Sequence, residues 1–163
     1  MLALAGHTVA AQSLDEPTAK AAFLLNFARF TEWPAPEAHA VALTICAVDR
    51  DVALALATTV TGRTAGDRPV QSRRLAQADG PDGCDVLFFG GLDRRQVSRL
   101  LQTTARRPVL TVGDQDGFAL SGGAIELFIE DGRMGFLINR TAAEQAGLRL
   151  SSRLLGLARL VGH

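Results

Sequence analysis

The sequence predicts an α/β fold, a layered sandwich whose mixed, mostly parallel sheet is flanked by helices and carries a late antiparallel hairpin. Three observations lead there. The strand candidates Val41–Val48 and Cys84–Phe89 are solid apolar runs, the pattern of strands buried on both faces. Helical segments alternate with the early strands, which favours parallel crossovers. Late in the chain, Ile125–Ile129 and Met134–Ile138 flank Glu130-Asp131-Gly132-Arg133, where Asp-Gly marks a tight hairpin turn.

The elements follow in order. Thr18 is placed to cap a helix through Thr31, because good helix formers follow it and neither Gly nor Pro interrupts until Pro34 and Pro36. Phe23, Phe27 and Phe30 recur at i, i+4 and i+7 and form one stripe of this helix. After the strand at Val41–Val48, Asp49 and Asp51 offer caps for a helix over Val52–Val60. Gly62–Pro69 reads as a loop and Val70–Leu75 as a short edge strand. Gly90-Gly91 breaks the Cys84–Phe89 strand, and Asp93 caps a helix carrying Val97, Leu100 and Leu101 that Arg107-Pro108 stops. Val109–Val112 is a further short strand, closed by Gly113-Asp114. After the hairpin comes a helix from Thr141 to Ala146 ended by Gly147. Ser151 caps a last helix bearing Leu154, Leu155, Leu157, Leu160 and Val161.

A length of 163 residues suits a single domain, read as 18–163 behind a leader-like N-terminus over 1–17. Met1–Gln12 is small and apolar, and Val9 and Ala11 flank a cleavage point after Ala11, so the sequence points to export. No Lys or Arg precedes the run, and a frayed apolar terminus is the alternative. No stretch reaches the ~20 apolar residues of a membrane-spanning helix. Lys+Arg 17 against Asp+Glu 17 gives no net charge, which argues against a nucleic-acid groove or a polybasic membrane anchor. The pairs Arg73-Arg74, Arg94-Arg95 and Arg106-Arg107 lie near acids such as Asp79 and Asp93 and read as solvated faces.

Catalytic material is scarce. Phe89-Gly90-Gly91-Leu92 follows a strand but is not a dinucleotide-binding fingerprint, and Gly62–Asp67 lacks the Gly-Lys-Ser/Thr ending that cradles phosphate. Gly113–Gly117 holds two carboxylates without the further oxygen ligands of a calcium loop. His7, His39 and His163 accompany no nucleophile and have no metal-ligand spacing. The reading is therefore a non-enzyme with no catalytic residue, no metal and no cofactor. Cys46 and Cys84 are the only cysteines, and in an exported chain pairing is the simplest reading, with two buried thiols in neighbouring strands as the alternative. Phe23, Phe27 and Phe30 read as core, with a dimer face as the alternative.

The run Lys20–Pro34 (KAAFLLNFARFTEWP) resembles the opening signature of the YfiR family. So do, in order, Leu43–Cys46, Cys84–Phe88, Pro108–Asp114, Gly117–Ala119, Gly132–Asn139, Ala142-Ala143, Ala146–Leu148 and Ser151–Leu155. The resemblance spans Thr18 to Val161 and implies a periplasmic regulatory protein. Such a protein binds the periplasmic portion of a YfiN-type inner-membrane diguanylate cyclase and restrains cyclic-di-GMP synthesis, and with it biofilm formation. It further implies sequestration by an OmpA-like outer-membrane lipoprotein of the YfiB type, a homodimer, and a disulfide at the Cys46 and Cys84 positions. The hairpin and following helix, at Leu137, Asn139, Ala143 and Gln145, match the region through which the family meets its partners. Small or neutral residues stand there where the family has a charged or larger anchor, and only one cysteine pair is present. The alternative to a repressor is a periplasmic small-molecule-binding sensor domain.

Overall fold

The computed structural model describes residues 15–34, 42–76 and 79–161, with backbone alone at 160 and 161. The leader-like segment through Ser13, its cleavage point and all three histidines lie outside the described residues. The first helix, α1 (Glu16–Arg29), starts earlier than expected. Asp15, not Thr18, is its cap: the Asp15 carboxylate accepts the Thr18 N–H at 2.8 Å, and Pro17 sits in the first turn, where a missing donor costs nothing. There follow β1 (Thr31–Glu32), β2 (Leu43–Ala47), α2 (Arg50–Thr59), β3 (Thr64–Ala65) and β4 (Arg68–Arg74). Next come β5 (Val86–Phe88), α3 (Arg94–Thr104), β6 (Leu110–Gly113), β7 (Ile125–Glu130) and β8 (Arg133–Asn139). The chain ends with α4 (Arg140–Gln145), β9 (Arg149–Leu150), α5 (Ser152–Leu157) and β10 (Arg159–Val161).

Eight strands form one sheet in the order β10-β8-β7-β6-β5-β2-β4-β3. Pairings from β7 through β4 are parallel, as are β10 and β8, while β7–β8 and β3–β4 are antiparallel. The expected mixed, mostly parallel sandwich is thus observed. The hairpin turn also forms as read: Asp131 and Gly132 both adopt positive φ, 53° and 72°, the backbone that such a two-residue turn demands.

Three differences have physical causes. The Gly62–Pro69 loop contains β3, whose two residues pair only with Arg68 and Pro69, so Val70–Arg74 beyond them remains the outer edge of the sheet, as read. The last helix stops at Leu157, and Arg159–Val161 pairs with Leu137–Asn139 of β8. That pairing satisfies a row of β8 backbone groups that would otherwise form an open edge. β1 and β9 make a separate antiparallel pair; two-residue strands carry no period for a sequence to display.

Alternation along the strands divides the core in two. Ile45, Ala47, Val86 and Phe88 join α1, α2 and the later helices in one cluster of buried residues. Cys46, Leu87 and Phe89 face the opposite way, toward Val97 of α3. The first cluster is tied by aromatic edges, with Phe27 and Phe136 centroids 5.0 Å apart and Phe23 touching both rings.

Candidate functional site

The face under α3 carries the disulfide. Cys46 lies within β2 and Cys84 two residues ahead of β5, with Cα atoms 5.8 Å apart and sulfurs bonded, so the buried-thiol alternative is set aside. Both sulfurs are buried, and the Arg73 guanidinium stands 3.2 Å from the Cys84 Sγ while donating to the Asp82 carbonyl at 2.6 Å. The bond staples β2 to the segment entering β5 in a cluster that otherwise contains few large side chains.

The carboxyl ends of β5 and β6 are where open α/β sheets usually take ligands. Here the chain fills the place itself. Lys20 Nζ bonds Asp114 at 2.7 Å and Glu16 at 2.8 Å, and lies 5.9 Å from the Phe88 ring centroid. Burial pulls the Lys20 ammonium toward the neutral form, but the Asp114 and Glu16 carboxylates outweigh it and hold its pKa above the ordinary 10.5. Asp114, read as a polar turn residue, is thus the counter-ion of the chain's one lysine. That single lysine was the available signal. Among the described residues no group of three or more His, Cys, Asp or Glu could hold a metal ion.

The residues that the resemblance assigned to partner contact are placed unevenly. Leu137 is half-buried on β8, between Glu126 of β7 and Arg159 of β10. Asn139 caps α4 by accepting the Ala142 N–H at 3.0 Å and donates to the Ala119 carbonyl at 2.8 Å. Ala143 is 1% exposed and belongs to the core, whereas Gln145 is exposed. A partner at this helix would therefore touch Gln145 and its surroundings, not the Ala143 methyl. Of the aromatic stripe, Phe27 is 1% exposed inside the core, while Phe23 and Phe30 are half-buried and pack against it. A contact between copies on α1 would use those two, with Phe27 beneath.

The arginine pairs are not compensated as expected. Asp93 accepts the Gln96 N–H at 2.9 Å and completes a capping box on α3, and Asp79 accepts the Ala76 N–H at 3.1 Å. Arg107 finds Asp82 at 2.8 Å instead. Beside α3 a cleft of about 1110 Å³ runs between that helix and α4, reaching Arg94, Arg95, Arg106 and Gln145. Sequence reasoning missed this cleft, because it arises from the spacing of two helices far apart in the chain.

Among the described residues no helix is long and apolar enough to cross a membrane. No curated protein matches the chain. Among solved structures it is similar to a conserved domain protein from Vibrio cholerae O1 biovar El Tor str. N16961, at 14% identity and a TM-score of 0.49. That similarity covers 90% of this chain and 60% of the other, so the chain spans less than two thirds of that protein's length. A family profile described as YfiR/HmsC-like matches residues 17–159, from the first turn of α1 to the start of β10. With that span matched, the chain belongs to the YfiR/HmsC-like family, a family of regulators in cyclic-di-GMP signalling rather than of catalysts.

Proposed function

We propose that this protein is a periplasmic repressor of an inner-membrane diguanylate cyclase of the YfiN type, acting by binding and not by catalysis. The observation that carries the reading is the family match over residues 17–159. The Cys46–Cys84 bond supports an oxidising compartment, since such bonds persist outside the cytosol. A repressor of this kind works by differential affinity: it shifts the cyclase toward its inactive form only as far as it prefers that form, about 1.4 kcal/mol for each tenfold preference. An OmpA-like lipoprotein of the YfiB type that covered the same surface would remove the bias. The surface around Leu137, Asn139 and Gln145, with Ala143 buried beneath it, is the proposed meeting place, and a second copy would dock through Phe23 and Phe30.

The test is expression of the exported chain in cells whose YfiN-type cyclase has lost its own repressor. Cellular cyclic-di-GMP and surface attachment are expected to fall several-fold. An unchanged cyclic-di-GMP level, with the chain present and oxidised in the periplasm, overturns the proposal.

A further inference from the structure

The cleft between α3 and α4 is lined by arginines at both ends. Its lining includes Arg94 and Arg95 on the first turn of α3 and Arg106 just beyond the last, and it contains no carboxylate. At 1.5 Å per helical residue the two cationic ends stand roughly 15 Å apart. None of the three cleft arginines stands within ion-pair distance of a carboxylate among the described residues, as is true of most of the chain's arginines. Between the two ends the lining is Val97, Leu101 and Val109, with Gln102, Ser121 and Gln145 supplying neutral hydrogen-bonding groups.

Arg106 adds an independent observation. Ala105 (φ −55°, ψ 132°) and Arg106 (φ 63°) form a turn closed by the Arg107 N–H on the Thr104 carbonyl at 3.0 Å. The second central position of such a turn is glycine's place, because a side chain there is strained. Arg106 and Asp131 are the only non-glycine residues with positive φ among those described. Asp131 serves a hairpin; Arg106 holds a guanidinium at the mouth of the cleft against backbone preference, and outliers of this kind gather at binding sites.

We infer that this cleft receives an extended acidic segment of the regulator's protein partner, with a carboxylate at each end and apolar side chains between. The inference rests on the proposed function in taking the partner to be a protein. An extended chain rises about 3.3 Å per residue, so about five residues span the two arginine ends. Guanidinium forks hold carboxylates in paired hydrogen bonds, and the apolar middle takes alternate side chains. At about 1110 Å³ and partly open to solvent, the cleft lies at the upper limit of the usual size of a small-molecule site.

Short random peptides displayed on phage, selected on the full oxidised chain and counter-selected on an Arg94→Glu/Arg95→Glu variant, test this. The enriched peptides are expected to carry two acids separated by three or four mostly apolar residues. A synthetic copy should bind the parent roughly tenfold or more tighter than the variant, and more weakly as salt rises. Arg106→Gly, which suits the turn and keeps the fold, should also weaken binding. The proposal is overturned by enriched peptides without acids, by no enrichment, or by equal binding to the double variant. It is overturned too if inorganic phosphate alone stabilises the chain and displaces the peptide, which would give the cleft to small anions. In the cyclase-bearing cells, a double variant that still represses like the parent removes the cleft from partner binding and leaves the proposed function standing. Failure of the parent itself to repress removes the function, while the peptide result stands by itself.

Discussion

The two faces of the sheet are held by different means. The face under α1 and α2 buries twenty-five residues in one cluster, with interlocked Phe23, Phe27 and Phe136 rings. The face under α3 buries eight, two of which are the disulfide cysteines. α1 places five residues in the core, but α3 places only Val97 and Thr104 there. Apolar burial therefore seals one face, while the other relies on a covalent staple and helix caps and leaves one flank of α3 open. A face that is not needed to close the core is free to meet another molecule, and the arginine cleft lies on it.

That contrast predicts which substitutions matter most. Phe27→Ala should cost about 3–5 kcal/mol, because the ring is 1% exposed and its neighbours cannot fully collapse on the void. Urea unfolding measures it, and a loss below 1 kcal/mol, roughly the cost of an ordinary surface change, would show that the first face is not the main seal. On the second face, Cys46→Ala/Cys84→Ala should cost about 4 kcal/mol for a loop with 38 residues of sequence separation. The deficit should appear only under oxidising conditions, with parent and variant melting together in reductant. Equal melting in oxidant would remove the staple from the argument.

What the sequence shows of this architecture is whatever repeats locally. The solid runs around Ile45 and Leu87 announce buried parallel strands, and Asp131-Gly132 announces the hairpin, because period and turn chemistry are local properties. β10 is invisible, since Leu160 and Val161 continue a helical spacing and only the open edge of β8, a tertiary fact, turns them into a strand. The candidate site divides in the same way. The cysteine pair could be read from count and compartment, and the family-matched positions from resemblance. Burial was not legible: nothing in the spacing tells that Ala143 faces the core while Gln145 faces the cleft. Nor does the Arg106-Arg107 dipeptide reveal that Arg107 pairs with Asp82 while Arg106 occupies a strained turn.

A smaller effect sharpens the comparison at the strand ends. Lys20 is the single lysine, the chain has no tyrosine, both cysteines are bonded and arginine stays charged, so it is the one side chain free to titrate in alkali. Its folded pKa is raised by Asp114 and Glu16 against the effect of burial, so its contribution is complete below 10.5 and is lost as pH rises through the folded value. Stability should hold up to that region and decline above it. Lys20→Met should cost about 1–2 kcal/mol at neutral pH and flatten the alkaline decline. If parent and variant decline alike in alkali, the Lys20–Asp114 pair is not what ties α1 to the strand ends.

The smallest effect separates the two faces most cleanly. Asp15 and Asp93 are both helix caps, accepting N–H groups at 2.8 and 2.9 Å, and the Asp93 cap is completed by Gln96 reaching back to the Asp93 N–H at 2.9 Å. Each cap is worth about 1 kcal/mol by the general rule. The consequences should still differ, because α1 remains pinned by Leu24, Leu25 and Phe27 whether or not its first turn frays, and α3 is pinned by Val97 with Leu100 and Leu101 only partly buried. Asp93→Ala should therefore speed amide hydrogen exchange along the whole of α3 and weaken any ligand of the arginine cleft, whose wall that helix forms. Asp15→Ala should speed exchange only at the first turn of α1. Matching exchange profiles in the two variants would mean that α3 is held as firmly as α1, and the open face would then be as rigid as the sealed one.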